Sequence, residues 1–157
     1  MELYLLWIFA GCVLLNAFFA GYETGLVSSN LTRVRHLAEK ERDAVALRLL
    51  RLMEHPHRII VLVLVGTNLA LVLGALAITD LLGTYWAAAV AIPAFLIFGE
   101  VLPKSLFRLH PTRLTALLLP VMRVFDLLLL PLVLPLTWVS RGFVALVEAE
   151  QRDIRQM

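Results

Sequence analysis

The stretch Phe98-Gly99-Glu100-Val101-Leu102-Pro103-Lys104 places a carboxylate near the end of an otherwise apolar run that begins at Trp86. Burying a charged side chain in the centre of a bilayer costs roughly 3 kcal/mol or more. An acid at this depth is therefore a candidate functional residue by default, facing neighbouring helices or a water-filled cavity. Glu100 is the first candidate site residue in the chain.

Pro103 changes the backbone next to this acid. Because proline has no N–H, the helix carbonyl four residues back, that of Gly99, loses its partner, and Gly99 has no side chain to cover it. A free carbonyl and a carboxylate at membrane depth suit a hard cation such as Mg²⁺, Ca²⁺ or Na⁺. The alternative is that Glu100 pairs with Lys104 four residues later and only ends the helix near the headgroups.

The composition places the whole chain in a membrane. Of its 157 residues 61% are hydrophobic and 17% are charged, whereas soluble domains are about half apolar. All fourteen Lys and Arg residues lie at or after Arg33, an asymmetry that reports membrane topology and not a nucleic-acid partner. Cys12 is the single cysteine, so the chain cannot form an internal disulfide. We expect an all-α integral membrane protein.

The first predicted span covers residues 3–22, enough to cross a hydrocarbon core of ~30 Å at ~1.5 Å per residue. Glu23 follows it directly and is either a site acid or a helix-end residue at the interface, beside Tyr22 as an interface anchor. Residues 31–54 then alternate apolar and basic positions at helical spacing, which predicts one amphipathic juxtamembrane helix.

The basic residues also predict the orientation. Seven of the fourteen fall between Arg33 and Arg58, so we expect this loop to be cytoplasmic. Lys104 and Arg108 mark a second return to the same side. The protein is then a multi-pass protein of the plasma (inner) membrane, with its N-terminus outside and its C-terminus in the cytoplasm.

Two further spans are predicted over residues 59–82 and 85–107, with a turn at Gly83 and Thr84 between them. The second span carries Asn68, which either hydrogen-bonds a neighbouring helix or lines a site. Counted inward from the nearest flanking basic residue, Glu23, Asn68 and Glu100 lie ~12–15 Å deep, which favours a shared site. The same span carries a small-residue stripe that allows close helix packing, formed by Gly66, Ala70 and Gly74.

The apolar stretch after the third span is interrupted by Pro120, Pro131 and Pro135. Each proline frees a carbonyl that is costly in lipid, so we expect broken apolar interfacial helices over residues 114–148 instead of a straight fourth span. The chain ends in a polar helix, and we expect a cytoplasmic region to follow it in the full-length protein.

Three stretches together resemble the transmembrane domain of the CorC/CNNM magnesium transporter family: Phe18-Phe19-Ala20-Gly21-Tyr22-Glu23-Thr24-Gly25, Leu64-Val65-Gly66-Thr67-Asn68-Leu69, and Phe98 to Lys104 as quoted above. The resemblance covers nearly the whole chain. It implies a homodimer of three-span subunits with juxtamembrane helices that exports Mg²⁺, with Na⁺ as the exchanged ion. It also implies a nucleotide-binding CBS-domain pair that is absent from this chain.

The chain departs from the family pattern in two of these stretches. Where the family commonly has Ser-x-Ser-Glu, this chain has Ala20-Gly21-Tyr22-Glu23 and loses both hydroxyls, and Gly-Asn-Asn is replaced by Gly66-Thr67-Asn68. The expected cation ligands are Glu100, Gly99, Asn68, Thr67 and Glu23.

Two other functions are alternatives to cation transport. The first is a dimeric membrane anchor that presents a cytoplasmic regulatory domain without transport of its own. The second is an enzyme with Glu23 and Glu100 as an acid/base pair, which we do not expect because no nucleophile with an adjacent base is apparent.

Overall fold

The computed structural model describes residues 3–29, 31–40, 44–54, 56–136 and 138, and every regular element within these ranges is helical. The predicted all-α fold class is confirmed for this part of the chain. The helices in chain order are α1 Leu3–Ser28, α2 Leu31–Lys40, α3 Ala44–Glu54, α4 Pro56–Pro93, a π-helical segment Ala94–Val101, α5 Leu102–Leu109, α6 Pro111–Leu128 and α7 Leu130–Leu136.

Two helical runs, Leu3–Ser28 and Arg58–Leu109, are each long and apolar enough to cross a membrane. The second has 52 residues and would be about 78 Å long if it were straight, more than twice the core of a bilayer. It reverses instead. Gly83 has the non-helical angles φ 74° and ψ 163°, and Gly74 packs against Phe95, so the chain folds back on itself between them. We call residues 58–82 the first arm and residues 84–109 the second arm.

The reversal depends on glycine because a positive φ places a side chain against the backbone in any other residue. Gly83 has open space around it, so the requirement comes from the backbone angles and not from crowding. Both arms pack against α1, and the contact near the turn is an apolar core. Phe9 and Phe95 meet edge to face there, with ring centroids 5.7 Å apart.

The small-residue stripe packs inside the chain, against α1. A Cβ atom at Gly66 would overlap the Phe19 ring, and one at Gly74 would lie 2.9 Å from the Cβ of Cys12. Ala70, between them, is fully buried. Gly21 of α1 accepts the ring of Phe107 from the second arm in the same way. The three helices therefore approach closely because glycine or alanine lies at each of these contacts.

Helices α2 and α3 lie side by side at the end of the bundle where α1 ends, which we call the basic end because Arg58 and Arg108 lie there. Val34 of α2 and Leu49 of α3 are both fully buried in one core. The single juxtamembrane helix predicted over residues 31–54 is therefore wrong. Helical periodicity is the same in one long helix and in two short ones, and burial of the apolar faces against each other favours two.

Helix α6 crosses the basic end and is followed by a sharp bend. The ring of Phe125 lies 5.5 Å from that of Phe18 and 5.2 Å from that of Phe19, and Asp126 accepts a 2.9 Å hydrogen bond from Arg58. Helices α6 and α7 meet at 76° and together are long and apolar enough for a broken span or a re-entrant loop. The bend lies at Leu129, just before Pro131, which has no N–H to continue the helix. Residue 137 and residues 139–148 of the predicted interfacial stretch lie outside the described residues.

Candidate functional site

The second arm changes its helical form where the candidate acid lies. After Pro93 it winds as a π-helix from Ala94 to Val101, and the N–H of Leu102 bonds to the carbonyl of Ile97, five residues back. π-Helical turns are rare and occur frequently at functional sites. The sequence predicted a missing hydrogen bond here but not the wider winding. Gly99 and Glu100 are both part of it.

The carbonyl of Gly99 finds its partner on another helix. The side-chain amide of Asn16 donates to it from Nδ2 at 3.1 Å, and Asn16 is only 2% exposed in the middle of α1. A Cβ at position 99 would lie 2.8 Å from that amide nitrogen, so a larger residue there would have to displace the Asn16 side chain. Sequence reasoning missed Asn16. The signal was present, since it is a polar residue inside an otherwise apolar span.

Glu100 is half-exposed and carries the ion pair that the alternative interpretation expected. Its Oε2 lies 3.8 Å from Nζ of Lys104, one turn along the second arm. This distance is an ion pair and not a hydrogen bond. The carboxylate therefore keeps acceptor capacity for another ligand, since an ionised carboxylate has about four lone-pair positions.

Asn68 and Thr67 lie on the outer surface of the first arm. Asn68 is exposed and donates from Nδ2 to the carbonyl of Leu64 at 2.7 Å, so its Oδ1 is left without a partner in the described part of the chain. It points away from α1, because it lies two residues from Gly66, which packs on α1. The hydroxyl of Thr67 bonds within its own helix, 2.9 Å from the carbonyl of Val63.

Helix-to-helix contacts show which candidates share a depth. The first arm runs antiparallel to α1, with Gly74 at Cys12 and Gly66 at Phe19, so Asn68 lies near the level of Asn16. The second arm runs parallel to α1, with Gly99 at Asn16, so Glu100 lies at the same level. The structure therefore brings together Glu100, Gly99, Asn68 and Asn16 in depth.

Glu23 does not share that level. It lies roughly six to seven residues, or about 10 Å, further along α1, where it lines a cavity of about 190 Å³ with residues of the first arm such as Ile59 and Val63. The common depth predicted for Glu23 is wrong. The depth was counted from Arg33, but Arg33 belongs to α2, which begins after α1 has ended at Ser28.

Tyr22, expected as an interface anchor, is fully buried. Its ring packs on that of Phe18, with centroids 6.0 Å apart, and its hydroxyl has no hydrogen-bond partner within the described residues. The residue therefore contributes bulk to the core at the basic end. That explains one of the departures from the family pattern, since a serine there could not fill the same volume.

The family model for the Cyclin M transmembrane N-terminal domain matches residues 7–157. The chain belongs to the CNNM family. It is 35% identical over 135 residues to the UPF0053 inner membrane protein YfjD of Escherichia coli (strain K12), an alignment that covers 81% of this chain. It is 33% identical over 112 residues, 66% of this chain, to a UPF0053 protein of Haemophilus influenzae. It spans 31% and 26% of the length of these two relatives.

In this CNNM-family domain, any cation at the Glu100 level would be held mainly by neutral oxygens. No group of three His, Cys, Asp or Glu side chains that could hold a metal occurs among the described residues. Within the described ranges, Glu100 is the only acid that the contacts place near Asn16 and Gly99. One carboxylate, amide and carbonyl oxygens and water match the way Mg²⁺ is held, since it gives up its waters reluctantly. Soft-metal chemistry is not favoured, because that requires thiolate or imidazole ligands.

Proposed function

We propose that this CNNM-family chain is the membrane part of a homodimeric transporter that exports Mg²⁺ in exchange for Na⁺, with Glu100 as the charged ligand. The observation that carries the proposal is the position of Glu100 in a π-helical segment, next to the Gly99 carbonyl and level with Asn68. Purely structural helices rarely combine an intramembrane acid with an interrupted hydrogen-bond ladder.

Besides Glu100, three of the proposed ligands have oxygen lone pairs that could accept a cation. The Gly99 carbonyl has a second lone pair beyond the one that Asn16 occupies, and Oδ1 of Asn68 has no partner among the residues that the structure describes. Thr67 retains acceptor capacity on its hydroxyl, although its proton is used within its own helix. Water would complete an octahedral shell around Mg²⁺.

A second copy of the chain would cover the face that carries Asn68. Leu64, Leu71 and Val72 are exposed on this arm at 60%, 42% and 53%, and an amide facing lipid alone is costly. Pairing of two such faces would bury the amides and place two sites close together. This supports the homodimer.

The distribution of charge supports the proposed orientation. Arg58, Arg108 and Arg113 lie at the basic end, and the turn at Gly83 carries no Lys or Arg nearby. By the positive-inside rule the basic end is cytoplasmic and the N-terminus of α1 is outside. The ion site would then lie in the half of the bundle nearer the cytoplasm.

Calorimetric titration of Mg²⁺ into the purified protein tests the site. The Glu100→Gln substitution keeps the shape but removes the charge, and we expect the affinity to fall at least about tenfold, or ~1.4 kcal/mol. Glu23→Gln is the matched control, also an acid on a span but about 10 Å away along α1, and should leave the affinity unchanged.

The second candidate function is the dimeric membrane anchor without transport, and the ion pair between Glu100 and Lys104 favours it. If that pair is the whole role of the acid, Glu100→Gln and Glu23→Gln will bind Mg²⁺ equally. Lys104→Met separates the two functions further. Removing the competing ammonium should strengthen Mg²⁺ binding at a true site and leave it unchanged in an anchor.

A further inference from the structure

A cavity of about 510 Å³ lies between α3 and α6 at the basic end, away from the Glu100 level. Among the described residues three arginines line it: Arg48 from α3, Arg113 from the first turn of α6 and Arg123 from the second half of α6. Its remaining lining is apolar and comes from one face of α6: Ala116, Leu117, Leu119 and Pro120. Among the residues that the structure describes, no acidic side chain lines it.

These arginines differ from Arg58 and Lys104, each of which is paired with a carboxylate. Arg58 is bonded to Asp126 at 2.9 Å and Lys104 lies 3.8 Å from Glu100. No carboxylate within the described ranges forms an ion pair with any of the three cavity arginines. Three guanidinium groups on one cavity repel each other, so a bound anion would stabilise the arrangement.

The start of α6 adds to the positive potential. Arg113 lies in the first turn of this helix, where the backbone N–H groups have no partner within the helix, and the preceding His110 makes no capping hydrogen bond. Arg123 lies ten residues later, about 15 Å along the axis. The cavity thus has cationic groups at both ends and an apolar floor between them.

We propose that this cavity binds the phosphate group of an anionic phospholipid. Arginine forms paired hydrogen bonds with phosphate oxygens, and basic pockets beside membrane helices are typical headgroup sites. The volume is within the roughly 300–1,000 Å³ of small-ligand sites. Leu117, on the cavity wall, is 69% exposed and Val124 is 64% exposed, so acyl chains can continue from the cavity along α6. The proposal does not depend on Mg²⁺ transport.

Native mass spectrometry of the purified chain, titrated with phosphatidylglycerol or with phosphatidylcholine, tests this site. We expect phosphatidylglycerol to bind at least about tenfold more tightly. Arg113→Gln and Arg123→Gln should each weaken that binding several-fold. Arg108→Gln, which removes an exposed arginine at the same end but outside the cavity, should not change it. Far-UV circular dichroism of each variant shows that it is folded.

Inorganic phosphate distinguishes the two sources of the anion. If phosphatidylglycerol binds more tightly than inorganic phosphate, so that displacement needs a large excess of phosphate, the lipid is the ligand. If inorganic phosphate binds as tightly as phosphatidylglycerol, the phosphate site stands and the lipid as its source is overturned. Equal binding of the two lipids, or equal weakening by Arg108→Gln and Arg113→Gln, would overturn the site itself. Arg123→Lys adds a final check, since it keeps the charge but not the paired geometry and should bind with intermediate affinity.

Discussion

Two asparagines lie at nearly the same depth in this protein, and their surroundings are opposite. Asn16 is buried between helices, and its amide reaches across to the Gly99 carbonyl on the second arm. Asn68 is exposed on the first arm, and its amide bonds back to Leu64 in the same helix. The first amide joins two elements of the fold, whereas the second leaves an oxygen available.

The difference shows how the same residue type takes a structural or a ligand role in a membrane. Removing Asn16 would take away the 3.1 Å hydrogen bond to the buried Gly99 carbonyl, to which Pro103 cannot donate because it has no N–H. Removing Asn68 would leave the Leu64 carbonyl with its ordinary helical bond. We therefore expect the two sites to separate in experiment: one controls stability and the other controls ion affinity.

The largest effect is expected for Asn16→Leu, which keeps the volume and removes the donor. The protein should lose about 1–2 kcal/mol of unfolding free energy, measured by circular dichroism as denaturing detergent is added to folded protein. Asn68→Leu is the matched control and should change stability by less than about 0.5 kcal/mol. Equal losses in the two variants would mean that the contact between Asn16 and Gly99 does not stabilise the fold.

An intermediate effect is expected for Gly99→Ala, which changes the other residue of the contact between Asn16 and Gly99. The added Cβ displaces the Asn16 amide, while alanine also raises helix propensity, so the net change combines two opposing terms. Gly11→Ala isolates the second term, because nothing lies within 4 Å of a Cβ at Gly11. The same detergent titration should find Gly99→Ala about 1 kcal/mol less stable than Gly11→Ala. Equal stabilities would show that the contact tolerates a side chain.

The smallest effect concerns the exposed face. Asn68→Ala should weaken Mg²⁺ binding only about two- to fivefold in calorimetry, because a water can replace a neutral oxygen ligand. Thr67→Val, next to it, removes a hydroxyl whose proton already bonds to its own helix and should change the affinity less still. A loss for Asn68→Ala as large as that for Glu100→Gln would make the amide a principal ligand and contradict this ranking.

Much of the fold could be predicted from local patterns. The long apolar runs, the turn at Gly83 and the all-helical class follow from hydrophobicity and from glycine's access to positive φ, which are properties of single segments. The division of residues 31–54 into two helices could not be predicted, because both arrangements have the same periodicity. The burial of Tyr22 and the depth of Glu23 depended on which helix packs where.

The sequence by itself determined that an apolar segment carries an acid at position 100. It also determined that Pro103 cannot donate a backbone hydrogen bond to the Gly99 carbonyl, since proline has no N–H. Tertiary structure alone decided what that carbonyl bonds to. Asn16 is 83 residues away, and only the parallel packing of α1 against the second arm brings its amide within 3.1 Å of the Gly99 carbonyl. The physical reason is that an unpaired carbonyl in an apolar interior must find a donor, but the sequence does not say which distant donor the packing will present.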